Sequence, residues 1–297
     1  MYNKIFIFLI LTILININSY ATIYWVGNSD NCTGSNVYPS LPAALLIASL
    51  SSDQADEIRL TETIDYVGSV RGDVDINNYN SLNAGILTIR GGYSDCFSAT
   101  GNSRTFMGNT DDSIISINAG EVSTSITLRN LNLVNGAFRG IVLDGNVALT
   151  LDNVRIADNQ SGLFVTGGAG VFVSADSIIE DNDKRLYEGE GGGIECQGAN
   201  SYVELSGTLK NNTAERGGNL HIENGCFAVL NGGSVIQGLG SPLIALEGAG
   251  AYVGNGGELL SNGGANRVVF RDNSALQGAG LYVIGTGKAT LLNTYFF

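Results

Sequence analysis

The chain has 297 residues, with 41 Gly, only 3 Pro, 44% apolar and 14% charged residues. That apolar share supports a core and excludes a disordered acidic chain. Gly at this level without a G-X-Y period excludes collagen, and at about 1 kcal/mol per Gly it also excludes a long helical bundle. The net charge is −13. With no basic stripe evident to offset it, a nucleic-acid partner and a grip on anionic lipid are not expected.

In chain order, residues 1–21 read as a secretory signal. Lys4 is the positive start, an apolar run follows from Ile5 to Ile15, and Ser19-Tyr20-Ala21 supplies the small cleavage-site residues, so that Thr22 opens the mature chain. No later stretch is long and apolar enough to span a bilayer. Residues 22–60 form an N-terminal cap region. Within it Ser40 is an N-cap for a helix over Leu41-Pro42-Ala43-Ala44-Leu45-Leu46-Ile47-Ala48-Ser49-Leu50, with Pro in the first turn. A short apolar helix ahead of a strand coil suits the open end of a solenoid. Strand signals follow at Glu57-Ile58-Arg59-Leu60, Gly85-Ile86-Leu87-Thr88-Ile89, Ser113-Ile114-Ile115-Ser116-Ile117 and Ser125-Ile126-Thr127-Leu128.

From residue 140 a repeat takes over. Gly (once Asn) precedes alternating apolar residues at Gly140, Gly162, Gly193, Asn219, Gly250 and Gly280, at intervals of 22, 31, 26, 31 and 30 residues. Offsets one and three are apolar in every copy: Ile141/Leu143, Leu163/Val165, Ile194/Cys196, Leu220/Ile222, Ala251/Val253 and Leu281/Val283. Late in most repeats comes a second mark, an apolar residue, two spacers and Asn, ending at Asn159, Asn182, Asn212 and Asn273; the 219–249 repeat lacks it. Between the marks lies another strand, such as Tyr202-Val203-Glu204-Leu205 or Phe227-Ala228-Val229-Leu230. Such a unit cannot bury its faces alone, so successive coils stack, with parallel strands about 4.8 Å apart. The marking Gly is expected to take positive φ at the bend. The Asn is expected to tolerate left-handed φ and to build hydrogen-bonded ladders. Residues 61–297 are therefore read as an all-β solenoid. Its neighbourhoods favour disulfides Cys32–Cys96 and Cys196–Cys226 among the three possible pairings, with four buried thiols as the alternative.

Gly191-Gly192-Gly193-Ile194 and Gly217-Gly218-Asn219-Leu220, alternating with Phe270-Arg271-Asp272-Asn273, resemble the GGxI and FxxN repeats of polymorphic outer membrane proteins. More widely, the chain resembles bacterial secreted right-handed parallel β-helix proteins. The early block Cys32 … Leu41-Pro42-Ala43-Ala44 … Ile86-Leu87-Thr88-Ile89-Arg90-Gly91-Gly92-Tyr93-Ser94-Asp95-Cys96 is similar to their N-terminal region. The resemblance implies a right-handed parallel β-helix with a capping helix, secreted or held at the outer membrane of a Gram-negative bacterium, with adhesion as its role. It carries over no catalytic residue. The terminal barrel of autotransporter-type relatives is not found. The sequence ends at Thr290-Leu291-Leu292-Asn293-Thr294-Tyr295-Phe296-Phe297, in mid-repeat, so a piece of a longer protein is expected.

The chemistry suggested by these residues is sparse. At offset two the first-strand positions read Val142, Phe164, Glu195, His221, Tyr252 and Tyr282. They form an outward ladder that would offer an aromatic contact stripe to a glycan or a partner protein. Glu195 and His221, the only His, would stack on neighbouring coils and permit acid–base work. No CxxC and no second His suggests a metal, so no metal or cofactor is expected. Asp111-Asp112 is the nearest acid pair for glycoside hydrolysis, but reads as turn residues. Arg71-Gly72-Asp73 is an adhesion tripeptide that also arises by chance, and Glu188-Gly189-Glu190-Gly191-Gly192 reads as a coil bend rather than a phosphate loop. The expectation is an exported, non-catalytic interaction rod. A polysaccharide lyase or glycoside hydrolase and a structural envelope protein are the alternatives.

Overall fold

A computed structural model describes residues 21–28, 32, 34, 36–51, 55–62, 64, 66–67, 74–75, 85–98, 101, 103–108, 112–184, 189–239 and 245–297. The expected signal segment (all but Ala21), the Arg71-Gly72-Asp73 tripeptide, Asp111 and Glu188 lie outside them. The protein is a parallel β-helix. Each coil from about residue 115 onward contributes three strand segments, and each segment pairs in parallel with its counterpart in the next coil. On the first face the inward column runs Ile115, Ile141, Leu163, Ile194, Leu220, Ala251 and Leu281, each the Cα partner of the next. The second face stacks Leu87, Ile126, Leu149, Val171, Val203, Ala228 and Leu259. The third stacks Met107, Leu133, Ile156, Ile179, Leu209, Ile236 and Phe270. Residues of all three columns share one continuous core. The long strands Ile115–Val134 and Arg139–Ala157 turn the corners without breaking.

Stacking already starts in the cap region: Thr22–Val26 pairs with Ala55–Thr61, which pairs with Ile86–Tyr93. The expected helix forms over Leu41–Ser49. Ser40 Oγ accepts from Ala43 N at 3.4 Å, and Leu41, Ala44, Leu45 and Ala48 join Tyr24, Ile58 and Leu60 in the core. Both expected disulfides are present, Cys32–Cys96 and Cys196–Cys226, and no cysteine is free. Among the described residues no helix is long and apolar enough to cross a membrane.

Of the roles expected of the two sequence marks, only the Asn ladder falls on the marked residue itself. The marking glycines 140, 162, 193, 250 and 280 do not take positive φ; the bend falls two residues earlier, at Gly191, Gly217, Gly248 and Gly278. The marking Gly is required by close approach instead. A Cβ on Gly162 would lie 2.5 Å from Gly193 O and 2.6 Å from Ile179 Cγ2. Left-handed φ likewise falls one residue before the marking Asn, at Asp158, Asp181, Asn211 and Asp272. The marking Asn itself turns inward and builds the ladder. Asn159 Nδ2 donates to Asn182 Oδ1 at 3.0 Å, and Asn182 Nδ2 to Asn212 Oδ1 at 2.8 Å. The same acceptors take backbone N–H groups at Asn159 and Asn182.

The two exceptions to the repeat turn out to be one. Where the fourth coil should carry its marking Asn it has Leu239, which is exposed. Where the same coil should carry its marking Gly it has Asn219, whose side chain enters the gap from the opposite side. Asn212 Nδ2 donates to Asn219 Oδ1 at 2.9 Å, and Asn219 Nδ2 to Asn273 Oδ1 at 3.2 Å. In the regular coils the Asn amide crowds the place of a Gly Cβ: Asn212 Nδ2 would lie 2.9 Å from a Cβ on Gly193. Asn at one position therefore requires Gly at the other, and the loss of one frees room for the other. Asn219→Gly, which restores the repeat consensus, is expected to break the ladder and cost about 2 kcal/mol or more, because buried amides lose partners. Adding Leu239→Asn should recover much of that loss. Urea unfolding of the two single variants and the double variant measures the coupling.

Candidate functional site

Two groups of polar side chains project from the coils. The first lies on the outer side of the first face. Val142, Phe164, Glu195, His221, Tyr252 and Tyr282 do stack in register. They are not, however, an exposed stripe: Glu195, His221 and Tyr252 are buried, while Phe164 and Tyr282 are half-buried. The cause is the segment that returns from the third face of one coil to the first face of the next. It folds over these rungs and is tied to its own copies through Glu190↔Arg216 and Arg216↔Glu247 bridges. Lys184, Glu190 and Arg216 come from these segments. The aromatic contact stripe expected from Phe164, Tyr252 and Tyr282 is thereby withdrawn.

Within the covered row, Glu195 does not engage His221. Its Oε2 accepts from Lys184 Nζ at 2.6 Å and from Arg139 Nη2 at 3.1 Å, and Arg139 also lies over the Phe164 ring, 4.0 Å from its centroid. The expected Glu195–His221 acid–base pair exists as a register only. His221 faces two other carboxylates: its Nε2 is 3.7 Å from Glu190 Oε2 and 3.9 Å from Glu223 Oε2. Its ring stacks on Tyr252 at 4.8 Å and 10°. Both ring nitrogens are buried and, among the described residues, have no hydrogen-bond partner. Burial first, and then the Arg216 and Lys184 charges, lower its pKa to about 3, so the ring is neutral at physiological pH. Arg216 ion-pairs with Glu190 Oε1, and Asn224 Nδ2 donates to Glu223 Oε1 at 2.8 Å. Burial, followed by the charge of Glu190, pushes the Glu223 carboxyl up. One donor atom each from Glu190, His221 and Glu223 lies within 4.8 Å of the other two. The spacing argument against a metal missed this set. Glu190 sits in the stretch read as a coil bend, and Glu223 is two residues beyond His221 on the strand Leu220–Glu223, on the same side by strand alternation.

The second group lies at the N-terminal end, on the outer side of the second face and its corner with the third. Trp25, Arg59, Arg90 and Arg129 are Cα partners on successive coils, followed by Asp152. The expectation of no basic stripe is overturned here: three arginines stack at a rung spacing of about 4.8 Å. The guanidinium of Arg59 lies 5.1 Å from the Trp25 centroid and 5.4 Å from that of Tyr93, and Arg90 lies 5.8 Å from Tyr93. Glu57 partners Arg59 at 2.9 Å and Asp152 partners Arg129 at 2.6 Å. The stripe opens into a cleft of about 610 Å³ lined by Arg90, Arg104, Arg129, Asn130, Asp152, Asn153 and Asp176. Arg104 is fixed in it by Asn153 Oδ1 at 2.9 Å and Asp176 O at 2.9 Å. The signal was in the sequence: Ile58-Arg59, Ile89-Arg90 and Leu128-Arg129 each place Arg after an apolar strand residue. Asp112, the described member of the Asp111-Asp112 pair, accepts from Ser113 N at 2.6 Å and is a turn acid.

Compared with known proteins, the chain matches no family model, no curated protein and no solved structure. The two groups therefore stand on their own geometry. Glu195 holds two cations from two other segments in a buried place, and removing one member of such a set leaves the others uncompensated. Glu195→Ala is expected to lower unfolding stability by about 3 kcal/mol. Lys184→Met with Glu195→Leu, which removes charges of both signs, should cost less than Glu195→Ala alone; denaturant titration of the variants measures the difference.

Proposed function

We propose that this chain is an exported, non-catalytic β-helix that binds an acidic glycan, on a polysaccharide or on the surface of a partner, through the arginine stripe and its cleft. The stripe is the observation that carries the reading. Like charges on adjacent strands repel, by about 1 kcal/mol per pair even in water at this spacing. Glu57 and Asp152 relieve part of that repulsion, and three stacked arginines remain a concentration of positive charge in a chain of net charge −13. A carboxylated or sulfated sugar chain laid along the coils would offset that repulsion, because guanidinium groups grip such anions through paired hydrogen bonds. Half-buried Trp25 stands at the head of the row and offers a flat apolar edge to a sugar ring, backed by the buried Tyr93. The expected signal segment, two disulfides and the resemblance to polymorphic outer membrane protein repeats support export and an adhesive role.

A polysaccharide lyase is the second reading, favoured by one observation: the cleft gathers Asp152 and Asp176 beside Arg90, Arg104 and Arg129. The two readings separate in one assay. Polygalacturonate, alginate and a neutral glucan are offered to the purified protein. Binding of the acidic chains that weakens with salt, without release of unsaturated ends, is expected. Arg90→Gln with Arg129→Gln should lower affinity at least about tenfold, since each charged hydrogen bond contributes about 1.5–3 kcal/mol. Equal binding of the neutral glucan, or no loss in the double variant, would remove the proposal. Release of unsaturated ends would replace it with the lyase.

A further inference from the structure

The covered row on the first face holds a feature that glycan binding does not use. His221 is fully buried, yet among the described residues neither ring nitrogen has a hydrogen-bond partner. An unsatisfied buried polar atom costs about 1–3 kcal/mol and calls for an explanation. Its Nε2 points between two carboxylates, at 3.7 Å from Glu190 Oε2 and 3.9 Å from Glu223 Oε2.

We propose that Glu190, His221 and Glu223 bind a single divalent transition-metal ion of the zinc class, with one coordination position left open. A tetrahedral ion with ligands at 2.0–2.2 Å has ligand–ligand edges of about 3.3–3.6 Å. The two His221–carboxylate distances exceed that by only a few tenths of an ångström. The third edge, with all three donor atoms within 4.8 Å, closes by movement of two part-exposed Glu side chains. One imidazole with two carboxylates is a donor set suited to zinc and its neighbours rather than to calcium or magnesium, which take oxygen alone.

The surroundings favour loading. The Tyr252 stack orients the ring where a hydrogen bond to its far nitrogen would otherwise do so. Among the described residues Glu223 has no cationic side chain bonded to it; its bond is to the Asn224 amide. Three cations also belong to the cluster. Lys184 and Arg139 are held by Glu195. Arg216 takes the other oxygen of Glu190 and leaves Oε2 toward His221. The acids and bases of the cluster already balance, so a bound dication favours an anion or hydroxide at its open position.

The test uses the disulfide-intact protein, stripped with chelator and titrated with Zn²⁺ and Co²⁺. The expected results are one equivalent of Zn²⁺ by calorimetry, a raised thermal midpoint and the visible absorption of four-coordinate Co²⁺. His221→Phe keeps the stack on Tyr252 and should abolish the Co²⁺ band, and Glu223→Gln should weaken Zn²⁺ at least about tenfold. If His221→Phe does not fold, Glu223→Gln carries the decision, since its carboxylate lies on a part-exposed edge. No heat and no band with the unmodified protein, or undiminished binding in the folded variants, would overturn the site.

Discussion

The fold depends on one register: a buried amide in each coil must meet the amide of the next. Asn159, Asn182, Asn212, Asn219 and Asn273 form an unbroken chain of side-chain bonds across the stack. The apolar columns are more forgiving, because aliphatic side chains slide past one another with modest loss. A buried amide does not, since a displaced coil leaves a donor and an acceptor unpaired in a low-dielectric place. The ladder thus fixes the corner between the third and first faces, and with it the vertical alignment of every outward rung. The alignment of Glu195 under His221 follows from that alignment of the coils.

A solenoid turns sequence period into surface pattern. Any residue type that recurs at one repeat position becomes a column, whatever lies between. The chain uses this twice and oppositely. On the second face, recurring arginines make a row of like charge, partly relieved by Glu57 and Asp152 and exposed most at Arg129. On the first face, unlike residues stack, and the return segments bring compensating charges over them, so carboxylates, cations and a buried neutral imidazole share one partly covered cluster. The first arrangement suits a large charged partner lying along the coils. The second suits a small ligand that fits between two coils.

The sequence made much of this legible, because alternation and Gly punctuation report strands directly. The inward columns, the capping helix after Ser40 and both cysteine pairs stand where the pattern placed them. Periodicity separates inward from outward positions but says nothing about the return segments, whose lengths vary. Lys184, Glu190 and Arg216 belong to those segments, and their cover over Glu195, His221 and Tyr252 leaves no mark in the repeat. Positive φ falls on residues just before the marked Gly and Asn, whereas the side-chain ladder falls on the marked Asn itself. The arginine row emerges only when the upstream strands, whose repeat is blurred, are set in register.

The Cys196–Cys226 bridge has a mechanical meaning. Stacked coils held only by neighbour contacts peel one at a time when a chain is pulled from its ends. Cys196 follows Glu195 on one coil, and Cys226 lies just past Glu223 on the next, so the covalent link spans the same gap as the buried polar pocket. A tensile load would have to lift these two turns together, and the pocket between them would keep its shape after the outer turns had unravelled.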